Sequence, residues 1–120
     1  IVLAIVIPKI TGNGKSESTL KEEKIEKANA LADKGLVLFN QGNATEAFKL
    51  YNEACNEGSI SGCFNQAVLY YVGEGTSENK AKSKELFEKV CNAGVEQGCK
   101  KLQVLNKQYW KGLIYDRKRS

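Results

Sequence analysis

Two stretches of this sequence, CNEGSISGC from Cys55 to Cys63 and CNAGVEQGC from Cys91 to Cys99, obey one pattern, C-N-x-G-x-x-x-G-C, and start 36 residues apart. The same offset pairs Asn43 with Asn79, Leu50 with Leu86 and Tyr51 with Phe87. A repeat of this length is the signature of stacked supersecondary units, because a single unit leaves an apolar face that only its neighbour can cover.

Periodicity then assigns the unit. Ala47, Leu50, Tyr51 and Ala54 recur at i, i+3, i+4 and i+7, one face of a helix, and Leu86, Phe87 and Val90 repeat the stripe. A helix precedes each of these, carrying Ala28, Leu31, Gly35 and Leu38 in the first case and Phe64, Ala67, Val68 and Tyr71 in the second. A last helix starts near Val95 and carries Leu102, Leu105 and Tyr109. The spacing of Asn43 and Glu46 predicts a capping box, Asn79 the equivalent cap, and Thr19 with Glu22 a cap for the first helix. Gly58 and Gly94 are expected just past their helix ends, and glycine at Gly42, Gly73 and Gly75 permits tight exits. The fold class is therefore all-α: a short right-handed α/α superhelix of antiparallel helix hairpins, about five helices, stapled by disulfides.

Composition narrows the chemistry. With no histidine among 120 residues, histidine general bases, Ser-His and Cys-His pairs and histidine-ligated zinc are excluded. No metal, cofactor or catalytic residue is assigned. The net charge of +4 hides an imbalance: from residue 100 onward seven Lys or Arg face Asp116 alone. A solvated basic terminus accounts for this, and with no nucleic-acid motif present no nucleic-acid partner is expected.

Three segments follow. Residues 1–19 open with the apolar run Ile1 to Ile7, ended by Pro8. That run is expected to be the remnant of a secretory signal, with an uncleaved anchor as the alternative and the only route to a membrane. It continues into a flexible linker rich in Gly, Ser and Asn. Residues 20–109 form the repeat domain with its C-terminal cap helix. Residues 110–120 form the basic tail.

The first unit, in Gly35, Gly42, Ala47, Tyr51 and Ala54, resembles a tetratricopeptide hairpin. The second, GCFNQAVLYYVGEGTSENKAKSKELFEKVCNAG, is more similar to the Sel-one-like repeats of the Helicobacter cysteine-rich protein family, with its G-C start, L-Y-Y core, G-x-G loop and terminal cysteine. The resemblance runs from about Ala28 to Leu105. It implies a binding face on the first helix of each hairpin: Leu36, Phe39 and Asn40, then Phe64, Val68 and Tyr71, then Lys100, Val104 and Lys107. That mix of aromatic and basic groups suits a protein, an extended peptide or a peptidoglycan-related fragment with acidic groups. For Leu36, Phe64 and Val68 the competing reading is plain core.

The resemblance also implies a penicillin-binding or weak β-lactamase alternative. Two S-x-x-K strings, Ser18 to Lys21 and Ser77 to Lys80, match part of a serine β-lactamase signature, but neither S-D-N nor K-T-G accompanies them. Ser77, in the loop before the second helix of its hairpin, reads instead as a turn or cap residue. A third role is structural, with Tyr109, Trp110 and Tyr115 docking on another chain or covering the last hairpin.

Four cysteines allow three pairings. Each repeat places two of them with seven residues between, across a helix-turn-helix junction, wider than zinc pairs or C-x-x-C redox motifs favour. The local solution is Cys55 with Cys63 and Cys91 with Cys99, against zinc, catalytic thiols or free buried cysteine as alternatives. Disulfides would place the protein in an oxidising compartment, secreted or periplasmic.

Overall fold

The computed structural model describes residues 10–11 and 15–119, with side chains from residue 17 to residue 107. The apolar run at residues 1–7 therefore lies outside the described residues, as do the side chains of Tyr109, Trp110 and Tyr115. Five helices carry the fold: α1 (Glu17–Asn40), α2 (Ala44–Asn56), α3 (Ile60–Val72), α4 (Lys80–Asn92) and α5 (Glu96–Arg119). Ahead of them β1 (Ile10–Thr11) and β2 (Lys15–Ser16) pair antiparallel, Ile10 opposite Ser16 and Thr11 opposite Lys15. Each helix packs on its chain neighbours, and α1 also packs on α3. The chain is thus an all-α stack of antiparallel hairpins.

Every fixed letter of the C-N-x-G-x-x-x-G-C pattern except the asparagine has a visible structural task. Gly58 and Gly94 take φ of 108° and 93°, the left-handed region that lets the chain leave α2 and α4 in one step. Four residues on, Gly62 and Gly98 let the next helix pass close. A Cβ on Gly62 would come within 2.8 Å of Ala54 Cβ, and one on Gly98 within 2.6 Å of Val90 Cγ1. That approach brings the flanking cysteines together, with Cα–Cα distances of 4.5 Å for Cys55–Cys63 and 4.6 Å for Cys91–Cys99. Both expected disulfides are present, and with them the zinc, catalytic-thiol and free-cysteine alternatives fall away.

The stripes pack as their periodicity requires. Ala32, Ala47, Tyr51, Ala54 and Leu69 form one buried cluster, Cys55, Cys63 and Val90 a second, and Ala67, Phe87 and Leu105 a third. Burial raises the pKa of the Tyr51 phenol, because the charged form has lost its water. Polar groups inside the stack are partnered. Ser83, fully buried on α4, donates to the Ala67 carbonyl of α3 at 2.7 Å. Gln66 of α3 donates to Asn52 of α2 at 2.8 Å.

Two caps differ from expectation. Asn79 caps α4 as expected, its Oδ1 accepting from the Lys82 amide at 3.0 Å. Asn43 stands at the start of α2 but makes no side-chain cap bond, so there is no capping box with Glu46; its ψ of 68° lies outside the extended geometry that Asn79 adopts. Thr19 does not begin α1 either. That helix starts at Glu17, inside the segment assigned to the linker, and its first half is held on the α2–α3 turn by Ile25 beside Gly58 and a Lys24–Glu57 pair at 3.5 Å. Ser59 caps α3, accepting from the Gly62 amide at 3.0 Å.

Candidate functional site

The first helices of the hairpins are α1, α3 and α5. The 36-residue offset relates α2 to α4, but α1 ends at Asn40 and α3 at Val72, so equivalent positions on these two helices are 32 residues apart: Ala28 with Ile60, Ala32 with Phe64 and Gly35 with Ala67. Small residues on α1 allow close packing. Ala28, Ala32 and Gly35 are all buried; Ala32 clusters with Leu69 of α3, and a Cβ on Gly35 would lie 2.8 Å from Tyr51 Cε1 of α2. On α3 two of these positions carry large side chains, Ile60 and Phe64, and the third is again small, Ala67. Leu105 of α5 clusters with Ala67 and Phe87, but α3 with α5 makes no interface comparable to that of α1 with α3.

Two clefts occupy the resulting gap. The wider, about 400 Å³, is lined by Ile60, Ser61, Phe64 and Asn65 of α3, Val90 of α4, Val95 of the next turn and Gln97 of α5. The second, about 260 Å³, lies between Val68, Tyr71 and Val72 of α3, Phe87 of α4, and Lys101, Val104 and Leu105 of α5. Under them Phe64 and Phe87 meet edge to face with centroids 5.5 Å apart. Val72 and Val104 on the rim stay about half exposed, at 49% each.

Lys101 is the only charged residue lining either cleft among the described residues. Lys80 Nζ sits over the Tyr71 ring at 5.2 Å from its centroid, a cation–π contact, and is also paired with Glu78 at 3.5 Å. The groove therefore pairs an apolar floor with one lysine, Lys101, at its Tyr71 end.

Of the residues assigned to the binding face, Val68, Tyr71 and Val104 share the second cleft and Phe64 lines the first. Phe39 packs against the first core cluster and Asn40 is exposed at the end of α1, both away from the clefts. Leu36 is 46% exposed rather than core, whereas Phe64 and Val68 are partly buried against core clusters and still line clefts, so for these two the competing readings are not exclusive. Lys100 and Lys107 are exposed on α5 and line neither cleft; Lys100 pairs with Glu96 at 3.3 Å.

Sequence reasoning missed Lys101. Its signal was its position four residues before the core-facing Leu105, against five for Lys100. Val72 was missed for the same reason, next to Tyr71 but outside the expected stripe. Ser77 is exposed in the α3–α4 loop, and Ser18 lies in the first turn of α1. Among the described residues no group of three or more Cys, Asp or Glu side chains is placed to hold a metal, and no helix is long and apolar enough to cross a membrane.

Fold and groove together define a disulfide-stapled all-α stack of helical hairpins with an apolar channel on one face. Within that class, one relative gives a partial match. Over 48 residues the chain is 40% identical to the Helicobacter pylori (strain J99) protein named "Putative beta-lactamase HcpC". The match covers 40% of this chain and 17% of that protein. No protein-family model matches the chain. The two disulfides indicate an oxidising, non-cytoplasmic location.

Proposed function

We propose that the chain is a Sel1-like repeat module, secreted or periplasmic, that binds a partner protein by taking an extended peptide segment into the groove between α3 and α5. The observation that carries this reading is the pair of apolar clefts along one face of α3, rimmed by half-exposed Val72 and Val104 and by lysine. Concave, mostly apolar sites with a few convergent polar groups are where ligands bind. The match to a cysteine-rich relative supports the repeat assignment. The relative's name concerns hydrolysis of β-lactams, and here the chemistry favours binding: the groove presents apolar walls and lysine, and Ser77 lies exposed in a loop outside both clefts.

Isotope-labelled protein titrated with short peptides of mixed aliphatic and acidic residues tests the reading. Amide shifts are expected at Val68, Val72, Lys101 and Val104, and they should be lost in Lys101→Glu and Val104→Asp variants that keep the helical spectrum. Shifts confined to α2 and α4, or a response to a soluble muropeptide but to no peptide, would overturn it.

A further inference from the structure

Resting on that reading, we infer the register of the bound segment: an extended peptide with two aliphatic side chains four positions apart and an acidic group two positions beyond the one seated at the Tyr71 end, on the same face of the strand. The two clefts fix the spacing. Their α3 residues fall in two sets, Ile60, Ser61, Phe64 and Asn65, then Val68, Tyr71 and Val72. The sets lie about eight residues apart along the helix, roughly 12 Å at about 1.5 Å per residue. An extended chain advances about 3.3 Å per residue and returns a side chain to the same face every second residue. Side chains two apart reach only about 7 Å and those six apart about 20 Å, so four positions, about 13 Å, is the even spacing that fits.

Charge orients the segment. No charged residue lines the cleft at the α3 N-terminal end among the described residues, while Lys101 lines the other; Lys80, over Tyr71 beside it, is already paired with Glu78 at 3.5 Å. An acid near the second anchor meets Lys101, and an acid near the first meets no lysine lining its cleft. The floor under each anchor differs too. Phe64 with Val90 and Val95 forms the first, and Phe87 with Leu105 the second, so both accept a branched aliphatic group.

The experiment uses fluorescent extended peptides with two leucines at spacings of two, four and six, carrying aspartate or asparagine two positions outside one leucine. Sets with the acid at either end cover both chain directions. The four-spaced peptide should bind about tenfold or more tightly than the other two, the worth of one seated aliphatic side chain. Replacing its aspartate by asparagine should cost about two- to fivefold, as expected for a partly exposed ion pair. Lys101→Glu should weaken the aspartate peptide and favour a lysine-bearing one, a swap that a merely structural lysine would not produce. Ser61→Arg, at an exposed position on the first cleft, should make binding insensitive to the first leucine alone. Equal affinity at all three spacings, with shifts still in the groove, would overturn the register and leave the peptide reading standing. Failure of every peptide to bind would overturn both.

Discussion

The α1–α3 and α3–α5 pairings join equivalent first helices and end in different states. Where α1 offers Ala28 and Ala32, the two helices close on each other, Ala32 clustering with Leu69; where α3 offers Ile60 and Phe64 at the equivalent positions, two clefts remain beside α5. The sealed seam has small side chains at these two positions and the groove has large ones. The junctions differ in parallel. Cys55 and Cys63 are buried inside the stack, whereas Cys91 and Cys99 are partly exposed at its end.

That contrast is broken most readily at the disulfides. Replacing Cys55 and Cys63 by alanine should lower stability by about 2–4 kcal/mol, and the same change at Cys91 and Cys99 by less, since only the first pair belongs to a junction packed on both sides. Chemical denaturation measures the difference. With limiting dithiothreitol followed by alkylation and mass mapping, Cys91–Cys99 should open first, because thiolate attack needs access to sulfur. Equal rates would mean that burial does not separate the two junctions.

The paired glycines sharpen the comparison at a smaller scale. Gly62→Ala forces a Cβ to 2.8 Å from Ala54 Cβ and 3.1 Å from the Cys55 amide nitrogen, with α3 held on both sides. We expect a loss of about 1–3 kcal/mol, the usual cost of overpacking. Gly98→Ala makes a similar clash against Val90 and the Cys91 amide, but among the described residues α5 packs chiefly on α4, whereas α3 packs on both α2 and α4, so its loss should be smaller. The reverse order in melting experiments would show that the end of the stack is as fixed as its middle.

The smallest expected effect separates Tyr51 from its repeat partner Phe87. Burial raises the Tyr51 pKa, so the folded state holds the phenol proton more tightly than the unfolded state does. Its contribution is complete below the unfolded value of about 10 and is lost as pH rises through the folded value. Tyr51→Phe should flatten that alkaline decline while leaving stability near neutrality little changed. A decline identical in both proteins would contradict it.

How much of this was legible in the sequence varies with the kind of signal. The repeat, the helix stripes, the glycine turns and both cysteine pairs were readable because period and spacing encode them directly. Asn43 misled because a cap needs backbone geometry as well as the right residue, and the short α1–α2 connection does not supply it. The groove was only half readable. Val68, Tyr71 and Val104 follow from the repeat register, but the choice of Lys101 over Lys100 depends on the roll of α5 against α4, which is set by Leu105 meeting Ala67 and Phe87. Small residues on α1 and large ones on α3 were visible in the sequence; that they would seal one gap and open the other depends on packing in three dimensions.

The most direct test of that difference is solvent mapping by methyl and amide NMR, with the protein titrated with a few per cent isopropanol as a weak apolar probe. The account predicts shifts gathered on Ile60, Val68, Val72, Val95 and Val104, with Ala28, Ala32 and Gly35 unmoved. Shifts spread evenly over the surface, or stronger along the α1–α3 seam than in the α3–α5 groove, would contradict it.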